Sequence, residues 1–370
     1  MLLWEKLRFI YEIRGEYMRF IHIADVHLGA VPDKGKPWSE KRAEEIEATF
    51  YRLISEAGKQ GIELILIAGD LFHRPPLKRE LKELSYRLES IAPAQIVFMA
   101  GNHDFMGENS NYRGFEWPEN VHFFNCETLD SFYIDTLDTW VYGLSYEHRE
   151  ITLPLYDHVY PHDETGYHIL LAHGGDEKHI PMQTRMLSRA GFDYVALGHI
   201  HKPEILSGNM AYAGALEPID RLDIGEHGYI YGEINEKGTR IQFCPLSSRE
   251  YRDLILESDT DMTEGEMEDW LLQQLIIEGR ENIYNVTLTG YRDPDIVYHL
   301  ERLSELGNIV SIKDETLPWF DFERIYNENA DNLIGLFIQK AYQTPMDEKR
   351  REQILSYGLS AMYHGRGENS

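Results

Sequence analysis

Five short segments constrain what this 370-residue chain can fold into. Asp25-Val26-His27, Gly69-Asp70, Gly101-Asn102-His103-Asp104, His173-Gly174-Gly175 and Gly198-His199-Ile200-His201 each stand where an apolar run gives out into a loop. Between them they hold three carboxylates, five imidazoles and one side-chain amide. Short apolar runs followed by glycine-bearing loops read as strands, and in an open α/β sheet the loops leaving the strands converge on one edge. A mixed set of carboxylate, imidazole and amide donors gathered there suits two borderline divalent ions such as manganese, iron or zinc.

The spacing of apolar residues supplies the elements in between. A strand over 19–24 leads into the first segment. Ala43, Ile46, Phe50, Leu53, Ile54 and Ala57 share one face of a helix over 39–59, with Ser39 as its N-cap. The apolar run 62–68 reads as a buried strand, and Leu77, Leu81, Leu84 and Leu88 mark a second helix opened by Pro75 and Pro76. A strand over 95–100 then delivers Gly101. This β-α-β-α-β order predicts a parallel sheet with right-handed crossovers. Further strands are expected over 121–124, 140–144, 167–172 and 193–197, and short meandering ones over 210–213, 229–234 and 240–244. The layout is α/β, two stacked sheets flanked by helices.

Beyond 246–257 the first domain closes, and the acidic run 257–264 marks a boundary. A helix over 264–279, a strand over 283–289, a helix over 295–306 and a strand over 308–313 form a compact α+β module. Helical patterns over 330–342 and 347–362 follow. The expected organisation is an N-terminal extension over 1–17, a main domain over 18–250, the α+β module over 258–325 and a helical segment over 328–370. The extension is read as a loose lead or the product of a start site upstream of Met18.

Lys and Arg number 36 against 63 Asp and Glu, a formal charge of −27. That balance argues against a broad surface gripping nucleic acid unaided, because phosphate contacts rely on Lys and Arg. It does not exclude a nuclease, since bound cations change the local field and a basic partner could hold the polymer. Two cysteines, Cys126 and Cys244, make neither a disulfide framework nor a thiolate metal site and fit a cytoplasmic setting. The apolar runs are too short to span a bilayer, so no membrane association is expected.

Taken singly the segments are weak. A D-x-H triplet is common, Gly-Asp after a strand usually forms a turn or cap, and two histidines in a loop can be incidental. In order, and each after an apolar strand, they make a metal site. Asp70 is the natural bridge for two cations, which such sites hold about 3.5–4 Å apart. Asp25 and His27 can reach one ion, whereas His199 and His201 can bind the same ion or one each. Asn102 adds a neutral oxygen. His22 and His168 are expected to be structural. Tyr112, Phe115 and Trp117 either stack on nucleobases or pack beneath their own loop.

These residues resemble the calcineurin-like metallophosphoesterase superfamily, whose pattern is D-x-H, G-D, G-N-H-[DE], H and G-H-x-H, over about residues 18–245. Within it, IHIADVHLG and LIAGDLFHRPP, with Leu71-Phe72-His73 after Gly-Asp, are similar to SbcD-type DNA repair exonucleases, the nuclease subunits of SbcCD-type complexes. The string AYAGALEPIDRLDIGEHGY resembles the YhaO-like branch. The resemblance implies a four-layer α-β-β-α sandwich with a small α+β capping domain and C-terminal helices. It assigns Asp25, His27, Asp70 and His201 to one metal, and Asp70, Asn102, His173 and His199 to the other. His103 would be the general acid, His73 an auxiliary that positions the scissile phosphate, and Asp104 the partner that orients His103. The same resemblance implies two divalent ions, manganese being expected, with DNA as substrate and an SMC-like coiled-coil ATPase as partner. It leaves a homodimer open. The function implied is a two-metal DNA exonuclease in repair. Hydrolysis of nucleotides or small phosphodiesters, and a non-catalytic scaffold for the ATPase, are the alternatives.

Overall fold

A computed structural model of the protein describes residues 17–162 and 165–364, so nearly all of the expected N-terminal extension lies outside the described residues. Two compact units divide the chain between Glu250 and Tyr251. The first opens with β1 (Met18–Ile23), α1 (Ser39–Gln60), β2 (Leu64–Ala68), α2 (Lys78–Glu89), β3 (Gln95–Met99) and β4 (Val121–Phe123). It continues through β5 (Asp130–Ile134), β6 (Thr139–Gly143), β7 (Tyr167–His173), the single-turn α3 (Thr184–Leu187), β8 (Tyr194–Gly198), β9 (Glu204–Ser207) and β10 (Met210–Tyr212). The hairpin β11 (Gly228–Asn235) and β12 (Gly238–Pro245) completes it.

Two six-stranded sheets result, ordered β12-β11-β1-β2-β3-β4 and β5-β6-β7-β8-β10-β9. β1 to β4 run parallel, as do β6, β7, β8 and β10. The near-continuous apolar runs are what strands buried on both faces require. Along β2, Leu64, Leu66 and Ala68 pack between the sheets with Ile169, Leu171 and Ala196. The alternate residues Ile65 and Ile67 face Phe50, Leu53 and Ile54 of α1 and Leu81, Leu84 and Leu88 of α2. The outer face of the second sheet carries a thinner cover, built from Tyr146, Ile151, Tyr156, Ile180 and Leu187 around a single helical turn. The fold is therefore the expected metallophosphoesterase sandwich, with one outer layer made mostly of loop. His22 and His168 are structural: His22 Nδ1 lies 2.9 Å from the Tyr194 hydroxyl and His168 Nδ1 2.9 Å from that of Tyr142.

Some local details differ from the sequence reading. Ser39 does not cap α1: Trp38 holds that position, and the Ser39 hydroxyl donates to the Pro32 carbonyl at 2.6 Å. The edge strands β5 and β9 were not expected, because their half-exposed residues break the apolar pattern that marks buried strands.

α1 also carries a charge into the interior. Arg42 is fully buried, pairs with Glu217 at 2.9 Å and Glu45 at 2.7 Å, and donates to the Pro218 carbonyl. Thr49 donates to the second Glu217 oxygen at 2.7 Å. Removing one member of a buried pair strands the other in low dielectric. Arg42→Ala is therefore expected to destabilise the protein by about 3–5 kcal/mol, read as a lower urea midpoint. A change below about 1 kcal/mol would show that water reaches Glu217.

The second unit begins with β13 (Tyr251–Ser258), which runs parallel to β14 (Ile283–Arg292), itself parallel to β15 (Ile309–Asp314) and β16 (Leu317–Pro318). Between β13 and β14 lies α4 (Glu264–Glu278), started by Thr263, whose hydroxyl accepts the Glu266 N–H while the Glu266 carboxylate takes the Thr263 N–H. The helix expected over 295–306 shrinks to α5 (Leu300–Ser304). Asp293 turns the preceding chain by accepting the Asp295 N–H, and Glu264 fixes His299 through both its backbone and its ring. α6 (Phe322–Glu328), α7 (Leu333–Gln343) and α8 (Glu348–His364) share a small core of Ile325, Ile334, Ile338, Ala341, Leu355 and Leu359. On α7, Leu333 and Leu336 remain outside it, 68% and 50% exposed.

Candidate metal centre

The carboxyl ends of β1, β2, β3, β7 and β8 meet at one edge of the sandwich, and every segment singled out from the sequence lies there. Backbone bonds stitch the loops together: Asp25 N–H to the Gly69 carbonyl, His27 N–H to the Asp70 carbonyl, and Gly174 N–H to the Gly198 carbonyl. Tight crossings explain the glycines that precede the polar residues. A Cβ on Gly101 would collide with Asp70 Oδ1 and His173 Nε2, and one on Gly198 with the Ala68 carbonyl. Asp25, His27, Asp70 and His199 adopt positive φ values of 50°, 53°, 50° and 94°. Such backbone costs about 1–3 kcal/mol per residue and persists only where the surroundings impose it.

Of four ligand-type groupings among the described residues, two are largely buried, and the other two are His27, His73 and His103 at the mouth and Asp176, His179 and His199. Asp25, His27 and His201 present one ligand atom each within 4.8 Å of one another, with His27 Nε2 3.2 Å from His201 Nε2. Asp25, Asp70 and His173 form another such set. Asn102 Oδ1 faces His173 Nε2 at 2.9 Å and His199 Nδ1 at 3.1 Å. Asp70 stands between the groupings, its Oδ1 accepting the His103 N–H at 2.8 Å and its Oδ2 lying 3.5 Å from His173 and 3.9 Å from His27. His73 and His103 sit at the mouth with rings stacked 5.2 Å apart, and His103 is 4.7 Å from the His27 ring.

The donor set fits divalent cations on two grounds. Asp25 Oδ1 is buried without a hydrogen-bond partner among the described residues. His173 Nδ1 donates to the Ala68 carbonyl at 2.8 Å, so its neutral imidazole turns a lone pair toward Asn102 Oδ1, another acceptor. Two acceptors facing each other in a dry site call for a cation to reconcile them. The ionisation equilibria point the same way. Burial pushes the Asp25 and Asp70 carboxyls up, Asp25 further raised by the charge of Asp70. Burial drives His173 down to about 3 and His199 to about 4, and holds His27 well below its ordinary value. Burial also pulls on His201, but its bond to Asp223 and the charges of Asp25 and Asp223 outweigh it and raise that imidazole to about 9.

Metal-free protein at pH 7 therefore holds a proton on His201 and resists ionising Asp25 and Asp70. Metal ligation requires those protons to leave. Loading at pH 7 is expected to release about one proton or more per protein, and apparent affinity to rise with pH up to about 9, where His201 titrates. Calorimetric titration in buffers of different ionisation enthalpy measures this. Identical heats in all buffers would contradict it.

Other placements differ from expectation. Asp104 does not hold the His103 ring. Its Oδ1 accepts the Gly101 N–H at 2.7 Å, and its Oδ2 takes the Phe72 N–H at 3.2 Å and the Tyr112 hydroxyl at 2.9 Å, tying two ligand loops together. The contact at His103 Nδ1 is the His73 carbonyl, 3.4 Å away. Tyr112 is buried against Phe98 and Phe123, and Phe115 and Trp117 pack on the same cluster, so these aromatics support their loop. Sequence reasoning missed Tyr146 and Tyr156, whose hydroxyls bond the His173 carbonyl and N–H. It also missed Asp176 and Asp223, which lie behind His199 and His201.

An edge that buries imidazoles and carboxyl groups together, with two histidines at the opening, is that of a metal-dependent hydrolase. Residues 18–203, half of the chain, match the calcineurin-like phosphoesterases, and the protein belongs to that family. It is similar to the metallophosphoesterase YhaO of Bacillus subtilis, with 28% identity over 70% of this chain and 66% of YhaO, so it spans about two thirds of that relative. The DNA double-strand break repair protein Mre11 of Archaeoglobus fulgidus is 26% identical over 84% of this chain and 75% of its own. The SbcD component of the nuclease SbcCD from Staphylococcus saprophyticus is 25% identical over 85% and 89%. Among the described residues no helix is long and apolar enough to cross a membrane.

Proposed function

We propose that this phosphoesterase is a two-metal DNA exonuclease acting in DNA repair. The observation that carries the reading is the convergence of Asp25, His27, Asp70, Asn102, His173, His199 and His201 at one edge beside His73 and His103, in a chain related along most of its length to repair nucleases. His27, Asp25 and His201 would hold one ion and Asn102, His173 and His199 the other, with Asp70 between them. Manganese is the ion proposed, since the carboxylate and amide oxygens of the set suit it. When bound, a divalent pair lowers the pKa of water and offsets charge on the phosphate oxygens.

The chain's own residues do the rest. As hydroxide attacks phosphorus in line with the leaving oxygen, the P–O bond breaks and that oxygen takes the Nε2 proton of the His103 imidazolium, which is left neutral. The neighbouring His73 carbonyl faces Nδ1 and favours the hydrogen that stays there, so the proton given up is the one on Nε2. His73, stacked on His103 at the mouth, would meet the phosphate.

With a net charge of −27, the chain has little general attraction for a polyanion, which supports a partner that grips the DNA. We assign that part to an SMC-like coiled-coil ATPase. Residues 258–325 would then cap the substrate, and the exposed Leu333 and Leu336 of α7 would lie in the docking segment. The cytoplasm is the expected compartment.

The test is manganese-dependent shortening of end-labelled duplex and single-stranded oligonucleotides, with and without the ATPase. Hydrolysis of nucleotides or a chromogenic diester, with no DNA shortening in either arm, would overturn the proposal in favour of small substrates.

A further inference from the structure

Two carboxylates outside the five segments stand behind the paired histidines of Gly198-His199-Ile200-His201, each on the side away from the other donor atoms. Asp176 Oδ2 lies 2.8 Å from His199 Nε2, and Asp223 lies 3.2 Å from His201 Nδ1 with both oxygens. A carboxylate accepts, so each of these ring nitrogens carries a hydrogen, and the opposite nitrogen is the one left to take an ion. Those opposite nitrogens are His199 Nδ1, which faces Asn102, and His201 Nε2, which faces His27.

Both carboxylates are themselves anchored. Asp176 Oδ1 accepts the backbone N–H groups of Lys178 and His179 at 2.8 and 2.9 Å, and the His179 ring binds the same carboxylate at 2.9 Å. Asp223 Oδ2 accepts the N–H groups of Ile219 and Asp220, each at 3.0 Å. Neither can swing away without unmaking a turn.

We propose that Asp176 and Asp223 are positioning residues that lock His199 and His201 in opposite tautomers, turning Nδ1 of the first and Nε2 of the second toward the two ions. Histidines two apart on one loop are thereby divided between two coordination spheres. The proposal rests on the two-metal reading of the centre. Carboxylates in this position typically account for 10–100-fold in metal affinity.

Chelator-stripped full-length protein titrated calorimetrically with Mn2+ tests it. The wild type takes up two equivalents. Asp176→Ala weakens one of them about 10–100-fold, Asp223→Ala weakens the other by as much, and the two Asp→Asn variants, which keep an acceptor oxygen, recover most of the loss. The 15N–1H histidine spectra of wild type loaded with Zn2+ need no variant to fold, and should show His199 protonated at Nε2 and His201 at Nδ1. The same tautomer at both, or two alanine variants that bind both ions within about threefold of wild type, would overturn the proposal. So would a third equivalent that vanishes in Asp176→Ala, because Asp176 would then be a ligand. Wild type that takes up no ion defeats the metal-centre reading instead.

Discussion

His103→Ala is expected to lower turnover about 10²–10⁴-fold, the usual contribution of a positioned acid, while both divalent ions stay bound. The distinction follows from where the residue contacts the centre. Its backbone N–H, which an alanine keeps, holds Asp70 Oδ1, whereas its ring stands at the mouth against His73. Asp70 and the donor atoms behind it therefore keep their geometry when the ring is removed. A substrate whose leaving group needs no proton, such as a nitrophenolate ester, should lose far less than DNA. Turnover within about threefold of wild type on DNA would remove His103 from the role of acid. Loss of metal from the variant would make its role structural.

Asp70→Asn is the second large effect. The carboxylate approaches a donor on each side, His173 at 3.5 Å and His27 at 3.9 Å, so its loss should empty the centre and reduce activity below detection. The thermal behaviour gives the sign. Burial raises the Asp70 carboxyl, so the metal-free fold holds that group under strain, and an amide relieves it. Stripped variant should melt at or above stripped wild type. In excess Mn2+ the order reverses, since an ion present at 100 times its dissociation constant stabilises the folded protein by about 2.7 kcal/mol. A variant that still gains stability from Mn2+ as wild type does would exclude Asp70 from the site.

The framework of both predictions was legible in the sequence because buried parallel strands announce themselves. Leu64 to Ala68 is apolar throughout, and the residue that ends such a run must leave at the sheet edge. Half-exposed strands gave no comparable signal: Asp130–Ile134 buries only Ile134 fully. The stretch that reads as the close of the first domain is β13, whose partner β14 begins 25 residues further on and could not be inferred locally. The donors were legible for a chemical reason, since no turn requires the histidines of Asn102-His103-Asp104 or His199-Ile200-His201. Asp176 and Asp223 were hidden because loops full of acidic residues are ordinary. Their significance lies in backbone N–H groups that aim them, and that aim exists only after folding.

Four donor-bearing residues sit where glycine or asparagine would be more comfortable, and two of them are histidines, at φ values of 53° and 94°. Selection for durability alone would not retain an imidazole at either place. A descendant released from catalysis should therefore drift toward glycine or asparagine at positions 27 and 199. The identity of those two residues thus serves as a ready marker, across any lineage of this protein, of whether chemistry is still being kept.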